Sequence, residues 1–363
     1  MVRKHSLPIV KPSFAWGIST SSYQFEDPAV RPGDRAYFET DWDTCLVQRG
    51  RAPARGNALS SWTHFDQDLS ALQKIGVTHY RFGIEWARIE PKPGAYNEAA
   101  IDRYVAMAEA LRAAGIEPIV CLWHFTFPSW LYNGKHPRKS NWLHPESRTR
   151  WQAFLRKVVP RMAPSVRIFA PQNEPNGQLT TAYLAGLWPP GVHLEFPVYR
   201  RALLACVEHF RDAAEIVRGT RKDALILGIH ALPWWKRGRA DFAGYMFRKT
   251  MEGSYEHLDR VADVCDLIGI NYYYSLTASI AGFISLSTHR GPHYSMMGWR
   301  IDPDGLYGQI KFVGDRYKKP MMITENGVAT PADSKRVRYM QDHLAAVQRA
   351  ISDGHDVRGY FAW

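Results

Sequence analysis

Two glutamates stand out in the sequence because each one follows closely on a short apolar run. Glu174 comes after the run 166–171, and Glu325 comes directly after the run 320–324. Cleavage of a glycosidic bond uses such a pair of carboxyl groups, one protonated to donate to the leaving oxygen and one ionised to attack or stabilise the sugar carbon. A lone Glu in such a place is explained equally well by a structural ion pair with an arginine. Two of them, with polar and aromatic residues after the other runs, favour a catalytic pair.

The chain offers a repeating strand–helix unit that could position these carboxyl groups. Short apolar runs typical of buried strands lie at 14–19, 79–84, 118–123, 166–171, 224–230, 267–272, 320–324 and 357–363. Apolar residues at helical spacing predict helices between them, over 62–75, 99–114, 146–159, 198–217, 337–351 and around Tyr245. Gly115 is expected to end the helix over 99–114. Alternation of this kind predicts parallel strands covered by helices.

Eight such units predict an α/β fold, a closed (β/α)8 TIM barrel. The open doubly wound sheet is disfavoured because no G-x-G-x-x-G follows the first run and no phosphate-binding G-x-x-x-x-G-K-[ST] occurs. We expect one barrel domain over residues 1–363, since no linker or low-complexity stretch divides the chain. The eighth run reaches Trp363, so the last helix of the barrel is expected to be absent.

In a barrel of this class, functional residues follow the carboxyl ends of the strands. The polar and aromatic residues found there include Gln24, Glu85, His124, Asn173, Glu174, His230, Asn271, Tyr273, Glu325 and Trp363, and the second run itself carries Arg81. A histidine at a strand end is more often hydrogen-bonded than a metal ligand, and the sequence contains neither H-E-x-x-H nor G-x-S-x-G. We therefore expect no metal and no cofactor.

Charge and cysteine content narrow the function classes further. Lys and Arg number 46 against 35 Asp and Glu, a formal net charge of +11. The basic residues are spread out, which favours a solvated positive surface over a nucleic-acid interface and leaves an anionic substrate as the alternative. No apolar run of membrane-spanning length occurs, residues 1–11 lack the apolar stretch of a secretory signal, and the four cysteines form no C-x-x-C pair. We expect a cytoplasmic protein with reduced thiols.

Several longer motifs, taken in order, resemble those of glycoside hydrolase family 1, the β-glucosidases and related retaining β-glycosidases. The stretch 14–26 (FAWGISTSSYQFE) resembles the N-terminal signature of that family, and 80–89 (YRFGIEWARI) resembles its second strand. Further matches are 124–131 (HFTFPSWL), 173–175 (NEP), 183–191 (YLAGLWPPG), 271–273 (NYY), 297–299 (MGW) and 323–327 (ITENG). The resemblance runs from about residue 13 to residue 363.

The resemblance implies a role for each matching residue. Glu325 would be the nucleophile and Glu174 the general acid/base. Asn173 would bind the sugar 2-hydroxyl, and Gln24 and His124 the 3- and 4-hydroxyls. Tyr273 would orient Glu325, Arg81 would favour its ionised form, and Asn271 would be a supporting residue. Trp363 would stack under the glycone, and Trp299 would line the aglycone side.

The sequence departs from the family pattern in two places. The family continues beyond the eighth strand with a loop that carries a further Glu and Trp, whereas this sequence stops at Trp363. Without that loop and the last helix, one side of the barrel would expose apolar surface. This indicates either a truncated sequence or a homo-oligomer whose second subunit covers that side. Asn176 stands where many members have an aromatic residue, so a different aglycone site is expected.

We thus expect a small β-glycoside or oligosaccharide as substrate, cleaved by a retaining β-glucosidase-like enzyme, with neither nucleic acid nor membrane as partner. Three alternatives stay open at this point. They are a 6-phospho-β-glycosidase, an endo-glucanase-like enzyme with an open cleft, and a sugar-binding scaffold protein with a degenerate site.

Overall fold

Each of the eight apolar runs forms a strand in the computed structural model, which describes residues 13–29, 34, 37–238, 241, 244–279 and 289–363. The barrel strands are β1 (Ala15–Ser19), β2 (His79–Gly83), β3 (Glu117–Cys121), β4 (Ile168–Ala170), β5 (Leu225–Ala231), β7 (Leu267–Asn271), β9 (Met321–Asn326) and β10 (Val357–Ala362). The order of hydrogen-bonded neighbours, β1-β10-β9-β7-β5-β4-β3-β2, closes into a barrel. The predicted α/β barrel is therefore confirmed. The predicted absence of a secretory signal falls on residues outside the described ones.

Two further strands lie outside the barrel. These are β6 (Trp234–Arg237) and β8 (Ser275–Ala278), which pair in parallel as a two-stranded sheet. Their sequences mix aromatic, basic and small residues without a buried apolar run, which explains why sequence periodicity did not indicate them.

The predicted helices are present with boundaries shifted by a few residues. The longer helices are Phe65–Ile75, Glu98–Ala113, Ser147–Met162, Pro175–Tyr183, Phe196–Thr220, Tyr245–Val261, Pro303–Tyr317 and Asp333–Ser352, and single turns lie at Ser22–Phe25 and Trp86–Ile89. The helices Pro175–Tyr183 and Pro303–Tyr317 were not predicted. Within the described residues, every helix is too short or too polar to cross a bilayer.

Local sequence explains where these helices begin and end. The Asn97 side chain accepts a hydrogen bond from the Ala100 amide at 3.2 Å, which satisfies a free amide at the start of Glu98–Ala113. Gly115, which was predicted to end that helix, follows two residues after Ala113 with a left-handed φ of 75°.

Contacts between residues divide the chain into two compact units. The first comprises the described residues of 13–17, Ala231–Glu256 and Leu267–Trp363, and the second comprises those of Ile18–His230 and His257–Asp266. The second unit has a large core in which aromatic side chains such as Trp86, Trp123, Trp142 and Trp151 are fully buried. The first unit buries apolar residues of β7 and β9 and one face of each of its helices Pro303–Tyr317 and Asp333–Ser352. The predicted single domain stays a prediction.

Candidate active site

In the second unit, Asn173 joins Arg81, which lies within β2, and His124, which follows the end of β3. Its side-chain Oδ1 accepts a hydrogen bond from Arg81 at 2.5 Å, and its Nδ2 donates to His124 Nε2 at 3.1 Å. Arg81 and Asn173 are completely buried, and His124 is nearly so. Because the guanidinium can only donate, the Asn173 amide has one possible orientation, with its nitrogen toward His124. Arg81, His124 and Asn173 therefore form one connected polar group.

His124 is held in its neutral form. Burial, together with the positive charge of Arg81, lowers the pKa of His124 well below its ordinary value. A neutral imidazole that accepts at Nε2 carries its proton on Nδ1. The ring is therefore a donor at Nδ1 and an acceptor at Nε2, where it accepts from Asn173.

Glu174 lies four residues beyond the end of β4 in a left-handed backbone conformation, with φ 45° and ψ 50°. Its amide donates to the Ile229 carbonyl at 3.1 Å, and Pro175 starts the next helix. A proline disfavours the right-handed helical region for the residue before it, and a non-glycine residue at positive φ typically costs about 1 kcal/mol or more. Such strain is characteristic of functional positions. The Glu174 side chain is half-buried.

In the first unit, Glu325 lies within β9, and only 3% of it is exposed. The Tyr273 hydroxyl donates to Glu325 Oε2 at 2.7 Å. The Glu325 carbonyl accepts from the Tyr272 amide at 2.9 Å, and Asn271 lies opposite Glu325 in the β7–β9 register. Asn271 itself accepts from the Thr324 hydroxyl at 2.7 Å. Sequence analysis placed Glu325 after its strand, whereas β9 continues through it to Asn326.

Asn326 is a supporting residue that sequence analysis quoted only as part of a motif. Its Nδ2 donates to the Tyr272 carbonyl at 2.6 Å and to the Tyr339 hydroxyl at 3.0 Å, and its Oδ1 accepts from the Tyr360 hydroxyl at 2.7 Å. The side chain is fully buried. It fixes the end of β9 next to Glu325, and the only sequence signal for it was an Asn-Gly pair after an apolar run.

The other predicted site residues have separate surroundings. Gln24 is exposed on the turn Ser22–Phe25, and its Oε1 accepts from the Ser21 hydroxyl at 2.6 Å. The Trp299 ring centroid lies 5.8 Å from that of Tyr273. The amide of Trp363 donates to the Asn326 carbonyl at 3.0 Å.

Among the described residues, no group of three or more His, Cys, Asp or Glu side chains is arranged to hold a metal ion. The four cysteines are all buried, and none of them forms a disulfide. The predicted cytoplasmic location and homo-oligomer stay predictions.

A (β/α)8 barrel with carboxylates at its strand ends is the architecture of a barrel glycoside hydrolase. The sequence pattern of glycosyl hydrolase family 1 matches residues 8–236 and 243–363. The chain belongs to this family, and β-glycosidase activity is the activity that membership supports.

Individual relatives agree with this placement. The chain is 29% identical over 415 residues to the bifunctional beta-D-glucosidase/beta-D-fucosidase of Bifidobacterium breve, with 96% of this chain and 88% of the relative covered. It is 26% identical over 420 residues to the 6-phospho-beta-glucosidase of Clostridium longisporum, with 97% and 86% covered. The beta-glycosidase structure from Pyrococcus horikoshii superposes with a TM-score of 0.85 at 27% identity, covering 99% of this chain and 86% of that one.

Proposed function

We propose that the chain is a retaining β-glycosidase, β-glucosidase-like in substrate, in which Glu325 is the nucleophile and Glu174 the general acid/base. The observation that carries the proposal is the Tyr273 hydroxyl donating at 2.7 Å to the buried Glu325 carboxylate. This hydrogen bond fixes the orientation of the Glu325 carboxylate, and a carboxylate held in one orientation is suited to attack on a sugar carbon.

In the first proposed step, Glu174 donates its proton to the glycosidic oxygen while an oxygen of Glu325 attacks the anomeric carbon. The bond from that carbon to the leaving oxygen breaks, and an ester between the sugar and Glu325 forms. Proton donation by a positioned carboxyl group typically contributes about 10²–10⁴-fold in rate.

In the second step, water takes the place of the departed group. Glu174, now ionised, accepts a proton from that water, whose oxygen attacks the anomeric carbon and releases Glu325 as a carboxylate. Two inversions at one carbon give a product with the anomeric configuration of the substrate. The chemistry is complete with two carboxyl groups, so we propose that neither metal nor cofactor takes part.

The neighbouring polar residues would bind the glycone. Asn173 is proposed to contact the 2-hydroxyl, and Gln24 and His124 the 3- and 4-hydroxyls. Arg81, which donates to Asn173 at 2.5 Å, would hold that amide in place and add positive charge near the substrate. Trp363 is proposed to stack under the glycone and Trp299 to line the aglycone side, since flat apolar sugar faces pack well on indole rings.

A 6-phosphorylated glycone is the second candidate substrate. It is favoured by the similarity to a 6-phospho-beta-glucosidase and by the net charge of +11, which would attract a phosphate group. An open-cleft endo-glucanase and a non-catalytic sugar-binding scaffold are the remaining alternatives.

A panel of aryl β-glycosides tests the proposal directly. The substrates are β-glucoside, β-galactoside, β-fucoside, β-mannoside and the 6-phosphates of the first two, with soluble β-glucan as the polymer control. The proposal expects hydrolysis of the β-glucoside, with the β-anomer as the first product seen by NMR. Release of the α-anomer would contradict retention, and binding without any hydrolysis would favour the scaffold protein.

A further inference from the structure

A buried carboxylate outside the proposed catalytic pair occupies the start of the turn Trp86–Ile89. Glu85 is 1% exposed and comes two residues after the end of β2. One of its oxygens, Oε1, accepts from the Ala87 amide at 3.2 Å, which is ordinary capping of a helical turn. A serine or asparagine would perform this task at lower desolvation cost, so capping alone does not explain a buried carboxylate here.

The carboxylate of Glu85 also joins two other segments. Its Oε2 accepts from the Ser22 hydroxyl at 3.2 Å, and the Thr126 hydroxyl lies 2.9 Å from Oε2 and 3.1 Å from Oε1. Ser22 opens the turn that carries Gln24, and Thr126 is two residues beyond His124. One buried side chain therefore connects the two segments that the proposed function assigns to glycone hydroxyls.

The segment that carries His124 needs such an anchor. Phe125, next to His124, has a left-handed φ of 71°, a conformation that persists only where the surroundings enforce it. On the far side of Phe125, Asp41 Oδ1 accepts from the Phe127 amide at 2.9 Å. Glu85 and Asp41 thus hold residues 126 and 127 through successive contacts.

Burial raises the pKa of Glu85 above its ordinary value. The positive charges of Arg55 and Arg88 and the donors Thr126 and Ala87 offset part of this effect. The Glu85 amide donates to the Tyr104 hydroxyl at 3.0 Å, and that hydroxyl donates to Glu26 at 2.9 Å. These contacts hold the main chain of Glu85 in place, next to the side-chain contacts with Ser22 and Thr126.

We propose that Glu85 is a positioning residue for the glycone, which sets the placement of Gln24 and His124 relative to each other by holding Ser22 and Thr126 on one carboxylate. The inference rests on the proposed function. It predicts that Glu85 controls how strongly the enzyme uses the glycone hydroxyls that Gln24 and His124 contact, although Glu85 itself does not touch the sugar.

The substitution Glu85→Gln tests this, because it keeps the shape and removes the charged acceptor. The readout is the ratio of kcat/KM for an aryl β-glucoside to kcat/KM for the same compound without its 3- or 4-hydroxyl. We expect Glu85→Gln to lower kcat/KM for the parent substrate roughly 10- to 100-fold and for the deoxy substrates only about 3-fold. The reason is that the substitution displaces Gln24 and His124 from the 3- and 4-hydroxyls, and the deoxy compounds lack one of these hydroxyls.

Glu90→Gln is the matched control. Glu90 is fully buried at the end of the same turn, but it accepts from the Trp86 indole at 2.9 Å and the Gly94 amide at 2.8 Å, neither of which belongs to a glycone-binding segment. A loss of folded protein lowers activity on all substrates equally. We expect Glu90→Gln to lower thermal stability while leaving the ratio between parent and deoxy substrates unchanged.

A ratio in Glu85→Gln equal to that of the wild type and of Glu90→Gln would overturn the positioning role. If Glu85→Gln does not fold, Thr126→Val provides the test. It removes one of the two hydroxyls that donate to Glu85, at nearly constant volume, and keeps the carboxylate. The ratio should fall in that variant too, and an unchanged ratio there would overturn the proposal. A wild-type chain inactive on every glycoside would instead overturn the proposed function.

Discussion

The two glutamates of the proposed catalytic pair have very different surroundings. Glu325 lies inside a barrel strand, is 3% exposed and receives a hydrogen bond from Tyr273 at 2.7 Å. Glu174 lies beyond the end of its strand, is half-buried and takes a left-handed backbone conformation with φ 45°. One carboxyl group is held by regular structure and the other by a strained turn.

This difference matches the two chemical tasks. A nucleophile has to meet one carbon atom at one angle, and misplacement by about 1 Å is costly, so a position in a strand with a fixed donor suits it. A general acid/base has to exchange protons with a leaving group and then with water, which requires partial access. The comparison therefore supports the proposal that Glu325 is the nucleophile and Glu174 the acid/base.

The largest expected effect comes from replacing Glu325. The substitution Glu325→Gln keeps the shape and the contact with Tyr273 but removes the attacking charge, so kcat should fall by at least about 10⁴-fold for every glycoside. Thermal unfolding should show a folded protein with a transition near that of the wild type. An activity within 10-fold of the wild type, roughly 1.4 kcal/mol in activation free energy, would remove Glu325 from the mechanism.

Glu174→Ala should produce a loss that depends on the leaving group. Substrates with poor leaving groups need a proton donor, so their kcat/KM should fall by about 10²–10⁴-fold, whereas activated aryl glycosides should lose little in their first step. Added azide should restore turnover of the activated substrates, because a small anion needs no base to attack the ester. Equal losses for all leaving groups, with no response to azide, would argue against the acid/base role of Glu174.

Tyr273→Phe tests the donor that distinguishes the two regions. Loss of a hydrogen bond to a charged group is worth about 1.5–3 kcal/mol, so kcat/KM should decline roughly 10- to 150-fold. Tyr307→Phe is a suitable control, since the Tyr307 hydroxyl donates to Asp353 at 2.6 Å rather than to either glutamate. The two variants should differ in activity by more than 10-fold at similar thermal stability, and equal activities would show that the Tyr273 contact does not matter to the chemistry.

The smallest expected effect concerns stability at acid pH. Unfolding at low pH lowers the activity independently of the protonation of Glu174 and Glu325. Burial lowers the pKa of His209 from 6.5 to about 4, while its Nδ1 donates to the Ala205 carbonyl at 2.6 Å. Between pH 6.5 and pH 4 the imidazole of His209 is protonated in the unfolded chain and neutral in the folded protein, so the folded protein loses stability as the pH falls. At pH 4 this lowers the free energy of unfolding by about 3 kcal/mol.

His209→Asn removes this contribution. The variant should lose less stability than the wild type between pH 6.5 and pH 4, as measured by urea unfolding at each pH. An unchanged slope would mean that His209 does not resist protonation in the folded state. The same unfolding data show how much of the loss of activity at acid pH comes from unfolding rather than from protonation of Glu174 and Glu325.

Much of the fold could be predicted because the barrel strands are short, continuous apolar runs. In the run 320–324, for example, both methionines and the isoleucine are buried in β9. By contrast, β6 and β8 are only partly buried and lack such a pattern. The helix Pro175–Tyr183 was missed because Pro, Gly and Thr residues obscure its period.

The candidate site could be predicted only as a set of strand-end residues. The hydrogen bond from Tyr273 to Glu325 joins residues 52 positions apart, and its presence depends on how the chain turns after β7. Glu85 binds Ser22 and Thr126, at separations of 63 and 41 residues. No local periodicity carries such information, since it depends on the barrel bringing distant strand ends together.

Trapping the covalent intermediate tests the assignment of the nucleophile most directly. An activated 2-deoxy-2-fluoro-β-glucoside slows the second step more than the first, so the ester accumulates and can be located by mass spectrometry of proteolytic peptides. We predict one added sugar per chain, attached to Glu325 and absent from Glu325→Gln. A sugar attached to Glu174, or an active wild-type enzyme that never carries a covalent sugar, would contradict the account.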